Sequence, residues 1–211
     1  MNLQNLTVDW QSQNLPVSTT GCSPPDDVMG ILYQNASGTV SDVVTRNQQL
    51  PNSLGNQAGE GIFVESNGGK SQITVQNSAV HDFQKNGITT NGAGIFAQIQ
   101  NNSVRGSGPN LNIAQNGIQL GYGATGEVED NALSDFVYSG EGYVASGILI
   151  VGSHGADIEE NTVGNTQGGI VTTSIPGNDA DKTSINDNWI FGTVSTNDGI
   201  GPAGRLDPNE P

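Results

Sequence analysis

The dipeptide Gly-Ile recurs along the chain, at Gly30-Ile31, Gly61-Ile62, Gly87-Ile88, Gly117-Ile118, Gly147-Ile148, Gly169-Ile170 and Gly199-Ile200. The spacings are 31, 26, 30, 30, 22 and 30 residues. A period of this length constrains the fold more than any local propensity, because one such unit cannot bury its own apolar face. A second signature follows most of these starts. It reads Val128-Glu129-Asp130-Asn131-Ala132-Leu133, then Ile158-Glu159-Glu160-Asn161-Thr162-Val163, then Ile185-Asn186-Asp187-Asn188-Trp189-Ile190. Ile99 through Val104 fits with Asn102 in the Asn slot, and Val75 through Val80 fits with Ser78 there, whereas Val40 onward fits poorly.

The runs between Gly, Asn and Asp are short and alternate like strands, too short for helices. Stacked units bury their apolar faces by pairing each strand with its equivalent one coil away, at about 4.8 Å. The sequence therefore predicts an all-β, single-stranded parallel β-helix of about seven coils, each of 22–31 residues, over residues 1–200. Ile62, Ile88, Ile118, Ile148 and Ile170 form one internal column in this reading. Asn102, Asn131, Asn161 and Asn188 stack at a turn, where Asn tolerates the left-handed conformation and its amide bonds its neighbours. A leucine-rich repeat needs Leu-x-x-Leu-x-Leu, and helical repeats need a period near 3.6; neither is present. The Pro- and Gly-rich tail at 201–211 suits an end cap.

Composition narrows the partners. With 6 basic and 21 acidic side chains, the net charge is -15, which repels a nucleic-acid backbone. No apolar run is long enough to cross a bilayer. The single cysteine, Cys22, excludes an intrachain disulfide and reads as a small core residue. Open solenoid ends invite pairing, so either end-to-end self-association or the remainder of a longer chain is expected to cover them.

Two clusters emerge from the register. If Val128 and Ile158 point inward, Glu127, Glu129, Asp157 and Glu159 point outward as a two-by-two carboxylate group. Like charges on paired strands repel. A bound Ca²⁺ would offset this, as would a raised pKa in one member; solvated acids that are merely tolerated are the simpler reading. The second cluster lies three and four residues past the Asn slot. There His81 and Arg105 become lateral neighbours, with Asp82 and Asp135 beside them. Such a base and cation suit abstraction of a proton next to a carboxylate, although a His and an Arg capping a turn explain the same residues. The loops at 105–116 and 134–146 bring Tyr138, Glu141 and Tyr143, which suit sugar stacking and hydrogen bonding.

The segments "GILIVGSHGADIEENTVGN" (147–165) and "GIQLGYGATGEVEDNALSD" (117–135) resemble the repeats of right-handed parallel β-helix proteins, the pectin-lyase-like superfamily. The resemblance implies the right hand of the coil. It also implies an extracellular or cell-surface protein engaging polysaccharide, with lyase- or epimerase-like chemistry. The alternative within the same group is a non-catalytic β-helix, such as an adhesin, tail fibre or self-assembling repeat. His154-Gly155 matches part of the polygalacturonase Gly-His-Gly element, but the Asn-Thr-Asp and Arg-Ile-Lys elements are missing, so that mechanism does not carry over.

Overall fold

The structure is a computed structural model that describes residues 1–11, 28–49, 58–153, 155–176, 182–192 and 200–202. Cys22, His154 and the tail beyond Pro202 lie outside these residues. The described residues form strands and turns, with no α-helix among them. β1 (Asn2–Asp9), β2 (Met29–Gln34) and β3 (Gly38–Arg46) come first. Strand triads then follow one another. They are β4 (Glu60–Glu65), β5 (Ser71–Gln76) and β6 (Ala79–His81); β7 (Asn86–Asn91), β8 (Ile95–Gln100) and β9 (Ser103–Asn110); and β10 (Asn116–Gly121), β11 (Thr125–Glu129) and β12 (Ala132–Tyr138). β13 (Ser146–Val151), β14 (Ala156–Glu159) and β15 (Thr162–Gly164) continue the series. β16 (Gly168–Thr173), β17 (Ser184–Asn186), β18 (Trp189–Phe191) and β19 (Ile200–Pro202) end it.

Each triad gives one strand to a seven-stranded sheet, in the order β19-β16-β13-β10-β7-β4-β2. The other two strands join a twelve-stranded sheet, in the order β17-β14-β11-β8-β5-β3-β6-β9-β12-β15-β18, with β1 also on β3. The long β3 belongs to two rows at once: Gly38–Ser41 pairs with β5, and Val44–Arg46 pairs with β6. The larger sheet thus has two arms, β5-β8-β11-β14-β17 and β6-β9-β12-β15-β18. Every strand pairing among the described residues is parallel.

The expected register holds. Ile31, Ile62, Ile88, Ile118, Ile148, Ile170 and Ile200 are successive partners across the seven-stranded sheet. Ile62, Ile88, Ile118, Ile148 and Ile170 are fully buried. They join Val75, Ile99, Val128 and Ile158 from the first arm, and Val80, Val104, Leu133 and Val163 from the second, in one apolar cluster. The Val40 segment, a poor match by sequence, is in register too, with Val40 beside Val75 and Val44 beside Ala79. Its buried positions include Val40, Val43 and Thr45, so a hydroxyl-bearing Thr45 stands beside Val80 where the next repeats place Val or Leu.

The Gly of Gly-Ile has a steric origin. A Cβ on Gly87 would lie 2.4 Å from Val104 Cγ1 and 2.6 Å from the Gly117 carbonyl oxygen. On Gly117 it would lie 2.5 Å from the Gly147 carbonyl oxygen. Gly30, Gly61, Gly87, Gly117 and Gly147 each leave room for the carbonyl of the next repeat's glycine, and Ile fills the core behind.

The Asn slot forms a buried amide ladder. Asn102 Nδ2 donates to Asn131 Oδ1 at 3.0 Å, Asn131 Nδ2 to Asn161 Oδ1 at 2.9 Å, and Asn161 Nδ2 to Asn188 Oδ1 at 2.9 Å. The left-handed residue is the one before each of them, which corrects the sequence expectation. Asn101, Asp130, Glu160 and Asp187 have φ of 55°, 55°, 55° and 51°. The ladder amide must point into the core, so the preceding residue takes the turn and faces water.

Candidate functional site

The outer face of the first arm carries the carboxylate group in the expected register. Glu127 pairs with Asp157, and Glu129 with Glu159. Flanking amides divide the cluster. Gln98 Nε2 donates to Glu127 Oε2 at 3.0 Å, Gln100 Nε2 to Glu129 Oε2 at 3.1 Å, and Asn186 Nδ2 to Glu159 Oε1 at 3.2 Å. Asp157 Oδ1 is buried and makes no hydrogen bond. Among the described residues, no three His, Cys, Asp or Glu side chains are grouped as a metal site. Burial, and then the charge of Glu127, push the Glu129 carboxyl above its ordinary value; Glu159 and Asp130 add to this, and the Gln100 hydrogen bond opposes it.

A raised folded pKa means that the folded chain holds this proton more tightly than the unfolded chain does. Ionised Glu129 therefore costs stability above its folded pKa, and the cost fades as pH falls toward the ordinary Glu value of about 4.3. Glu129→Gln is expected to melt higher than wild type at pH 7, with the gap closing as the melting series is taken down toward that value. An equal gap at every pH would exclude this origin.

Beside the acids runs a groove of about 510 Å³ over β3, β5 and β8, lined by Ser37, Thr39, Gln72, Thr74, Phe96 and Gln98 among others. Hydroxyls and amides surround the half-open ring of Phe96.

The second arm holds the other predicted cluster. His81 and Arg105 are lateral partners across β6 and β9, as the register required. Arg105 is followed by Ser134 and then Gly164 in the same outward row. His81 Nδ1 lies 2.7 Å from Asp82 Oδ2, and Arg105 Nε donates to Asp135 Oδ2 at 2.9 Å. Asp82 and Asp135 take left-handed backbones, with φ of 55° and 68°, which turns their carboxylates back over the preceding strand. The Arg105 side chain is 71% exposed. The pair therefore adds at most about 1 kcal/mol to stability and leaves Arg105 open to a ligand. The two clusters occupy different arms.

The loops at 105–116 and 134–146 are more ordered than their sequences suggest. β9 and β12 run on into them and stay paired out to Asn110 and Tyr138, with a bulge between Ser134 and Phe136. Tyr138 and Tyr143 come together, with ring centroids 6.4 Å apart and planes at 62°. Tyr138 packs against the core, so its ring does not serve as an open platform. Tyr143 and Glu141 are exposed.

Sequence reasoning missed the residues that shape these loops. Gln115 Oε1 accepts from Ser107 N at 2.9 Å, while its Nε2 donates to the Phe83 carbonyl at 2.6 Å. Gln167 Oε1 accepts from Tyr138 N at 3.2 Å and from Ala145 N at 3.0 Å. Both amides are buried. They supply backbone partners where the chain leaves the sheet, which buried peptide groups require. It also missed Trp189 and Phe191, which project from β18. A detectable signal was there: the outward slot that holds Ala79, Ser103, Ala132 and Thr162 in other repeats holds Trp189 here.

The chain matches no family model, no curated protein and no solved structure. No helix among the described residues is long and apolar enough to cross a membrane.

Proposed function

We propose that the chain is a right-handed parallel β-helix of the pectin-lyase-like kind, acting outside the cell or at its surface, and that it binds polysaccharide along the outer face of the second arm. Strand triads that pair with the triads before and after support a coil, and parallel crossovers are almost always right-handed. The observation that carries the binding reading is the outward row His81–Arg105–Ser134–Gly164. It sets ion-paired hydrogen-bonding groups beside a floor of small residues, at the strand spacing of about 4.8 Å. An extended glycan lies along such a row, with hydroxyls on the charged groups and ring edges over the small floor.

The His81–Arg105 adjacency also favours a second reading, lyase- or epimerase-like turnover. His81 would accept the proton next to a uronate carboxylate, and Arg105 would hold the charge that develops there. Binding and turnover separate in one experiment. A glycan array probed with wild type and with the His81→Ala, Arg105→Ala double variant should show at least a ten-fold weaker signal for the variant. Full retention by the variant removes this site. A wild-type protein that binds nothing returns the chain to the structural alternative, an adhesin or fibre. Incubating wild type with each bound glycan then tests for unsaturated or epimerised product.

Calcium belongs to the proposal only through Glu127, Glu129, Asp157 and Glu159. Running the array with and without millimolar Ca²⁺, alongside thermal melts, tests it there. A calcium-dependent rise in melting temperature should vanish when Glu127 and Asp157 are both changed to Ala.

A further inference from the structure

We propose that Trp189 and Phe191 form a stacking platform for an uncharged pyranose ring, an anchoring subsite at the β18 end of the second arm. This deepens the polysaccharide reading and rests on it for the rest of the glycan, but it stands on different residues. The two side chains occupy alternate outward positions of β18, and Ile190 between them packs against the core. Their ring centroids lie 4.9 Å apart with planes at 33°, too close for rings side by side, so the two overlap as a tilted, offset pair in which the more exposed Trp189 presents the larger open face. Trp189 is 65% exposed and Phe191 42% exposed.

The Phe191 ring is laid down on the backbone of its neighbour. A Cβ on Gly164 would meet Phe191 Cζ, Cε2 and Cε1 at 2.4, 2.8 and 2.9 Å. Three ring atoms at nearly equal distance mean that the ring lies flat over Gly164. Its inner face is thus covered by backbone, and Trp189 overlaps it in part from the other side. Any larger residue at position 164 would lift the ring.

The surroundings decide what such a surface takes. Beside Trp189 lies Thr162, and beyond Gly164 in the Phe191 row come Ser134 and Arg105. Asn165 N donates to the Phe191 carbonyl at 3.1 Å, and the Asn165 amide stands 3.5 Å from Asp135. Glu160 and Asp187, both exposed left-handed turn residues, stand two positions before Thr162 and Trp189. The apolar surface therefore ends after two rings and is rimmed by hydroxyl, amide and carboxylate groups. Stable protein interfaces need far larger areas, and anionic lipid surfaces need basic clusters. A pyranose needs what is present: a ring-sized apolar face for its C–H side and polar groups at its rim. The local carboxylates and the net charge of -15 disfavour a uronate at this position. Arg105, three strand spacings or about 14 Å away along the row, is where a charged sugar would be met.

The chain has two tryptophans, so Trp10→Phe leaves Trp189 as the sole indole. In that background, emission is titrated with cellohexaose, mannohexaose and hexagalacturonate. A neutral hexaose is expected to give a saturable change, larger than that with hexagalacturonate. Trp189→Ala and Phe191→Ala should each weaken binding of that hexaose roughly ten-fold by calorimetry, with the melting temperature unchanged. Thr162→Ala should not weaken it. No emission change with either neutral hexaose overturns the proposal, as does unchanged affinity in both aromatic variants. If His81→Ala, Arg105→Ala abolishes glycan binding while both aromatic variants retain it, the polysaccharide reading stands and the platform fails. If the Trp189 response survives in that double variant, the platform stands and the charged row is not part of the site.

Discussion

Asn131→Ala is expected to destabilise the protein by about 3 kcal/mol or more in urea unfolding, as one side chain leaves several buried groups short of partners. Asn131 is 1% exposed. Its Oδ1 accepts from both the backbone N and the Nδ2 of Asn102, each at 3.0 Å. Its Nδ2 donates to the Ile99 carbonyl at 2.8 Å and to the Glu129 carbonyl at 2.9 Å. Alanine supplies none of these contacts and is too small to exclude the gap. The loss spans repeats on both sides, so it should broaden into neighbouring repeats as nearest-neighbour coupling requires. Asn188→Ala is the internal comparison. Asn188 has a ladder amide on one side only, and although its Nδ2 donates to the Ile158 and Asn186 carbonyls, each at 2.7 Å, it is half-buried and water can replace it there, so its loss should cost about 1 kcal/mol. Equal costs at the two positions would mean that the ladder is a series of local turns and not a shared network.

Gly117→Val is expected to be the most damaging single change on the inner face, at about 3 kcal/mol or enough to prevent folding. A Cβ at this position already lies 2.5 Å from the Gly147 carbonyl oxygen, 2.7 Å from Leu133 Cδ2 and 2.8 Å from Phe136 Cζ. The first of these is backbone held in the sheet, so it cannot rotate away. Two further methyl groups would separate β10 from β13 or displace the fully buried Phe136, which stacks on Phe83 with centroids 6.2 Å apart. Gly69→Ala is the control. Its Cβ would meet only Ser66 Oγ, at 3.8 Å, in an exposed turn, and its effect should stay within about 0.5 kcal/mol. Matching denaturation midpoints for the two variants would show that the Gly-Ile repeat does not record close backbone approach.

The repeat was legible because every unit solves the same packing problem. An Ile must meet an Ile, and an amide must meet an amide, so like residues recur at like places. From that recurrence came the column Ile62–Ile88–Ile118–Ile148–Ile170, the facing carboxylates of β11 and β14, and the adjacency of His81 and Arg105. Alternation within a strand then assigned the inward and outward sides.

What the repeat could not convey is which of two adjacent polar residues bends the chain. Asp130 and Asn131 both suit a left-handed turn; the choice fell on Asp130 because Asn131 has buried carbonyls to satisfy. Gln115 and Gln167 were equally opaque, since their partners are peptide groups of loops that fold back onto them. The seating of Phe191 beneath Trp189 depends on Gly164 lying one strand away, a relation that no stretch of contiguous residues contains. Sequence determined period, register and the inward face, which depend on residues one repeat apart. Tertiary structure alone decided the bend of each turn, the fastening of the loops and the exposed aromatic surface, because these depend on where a third group stands.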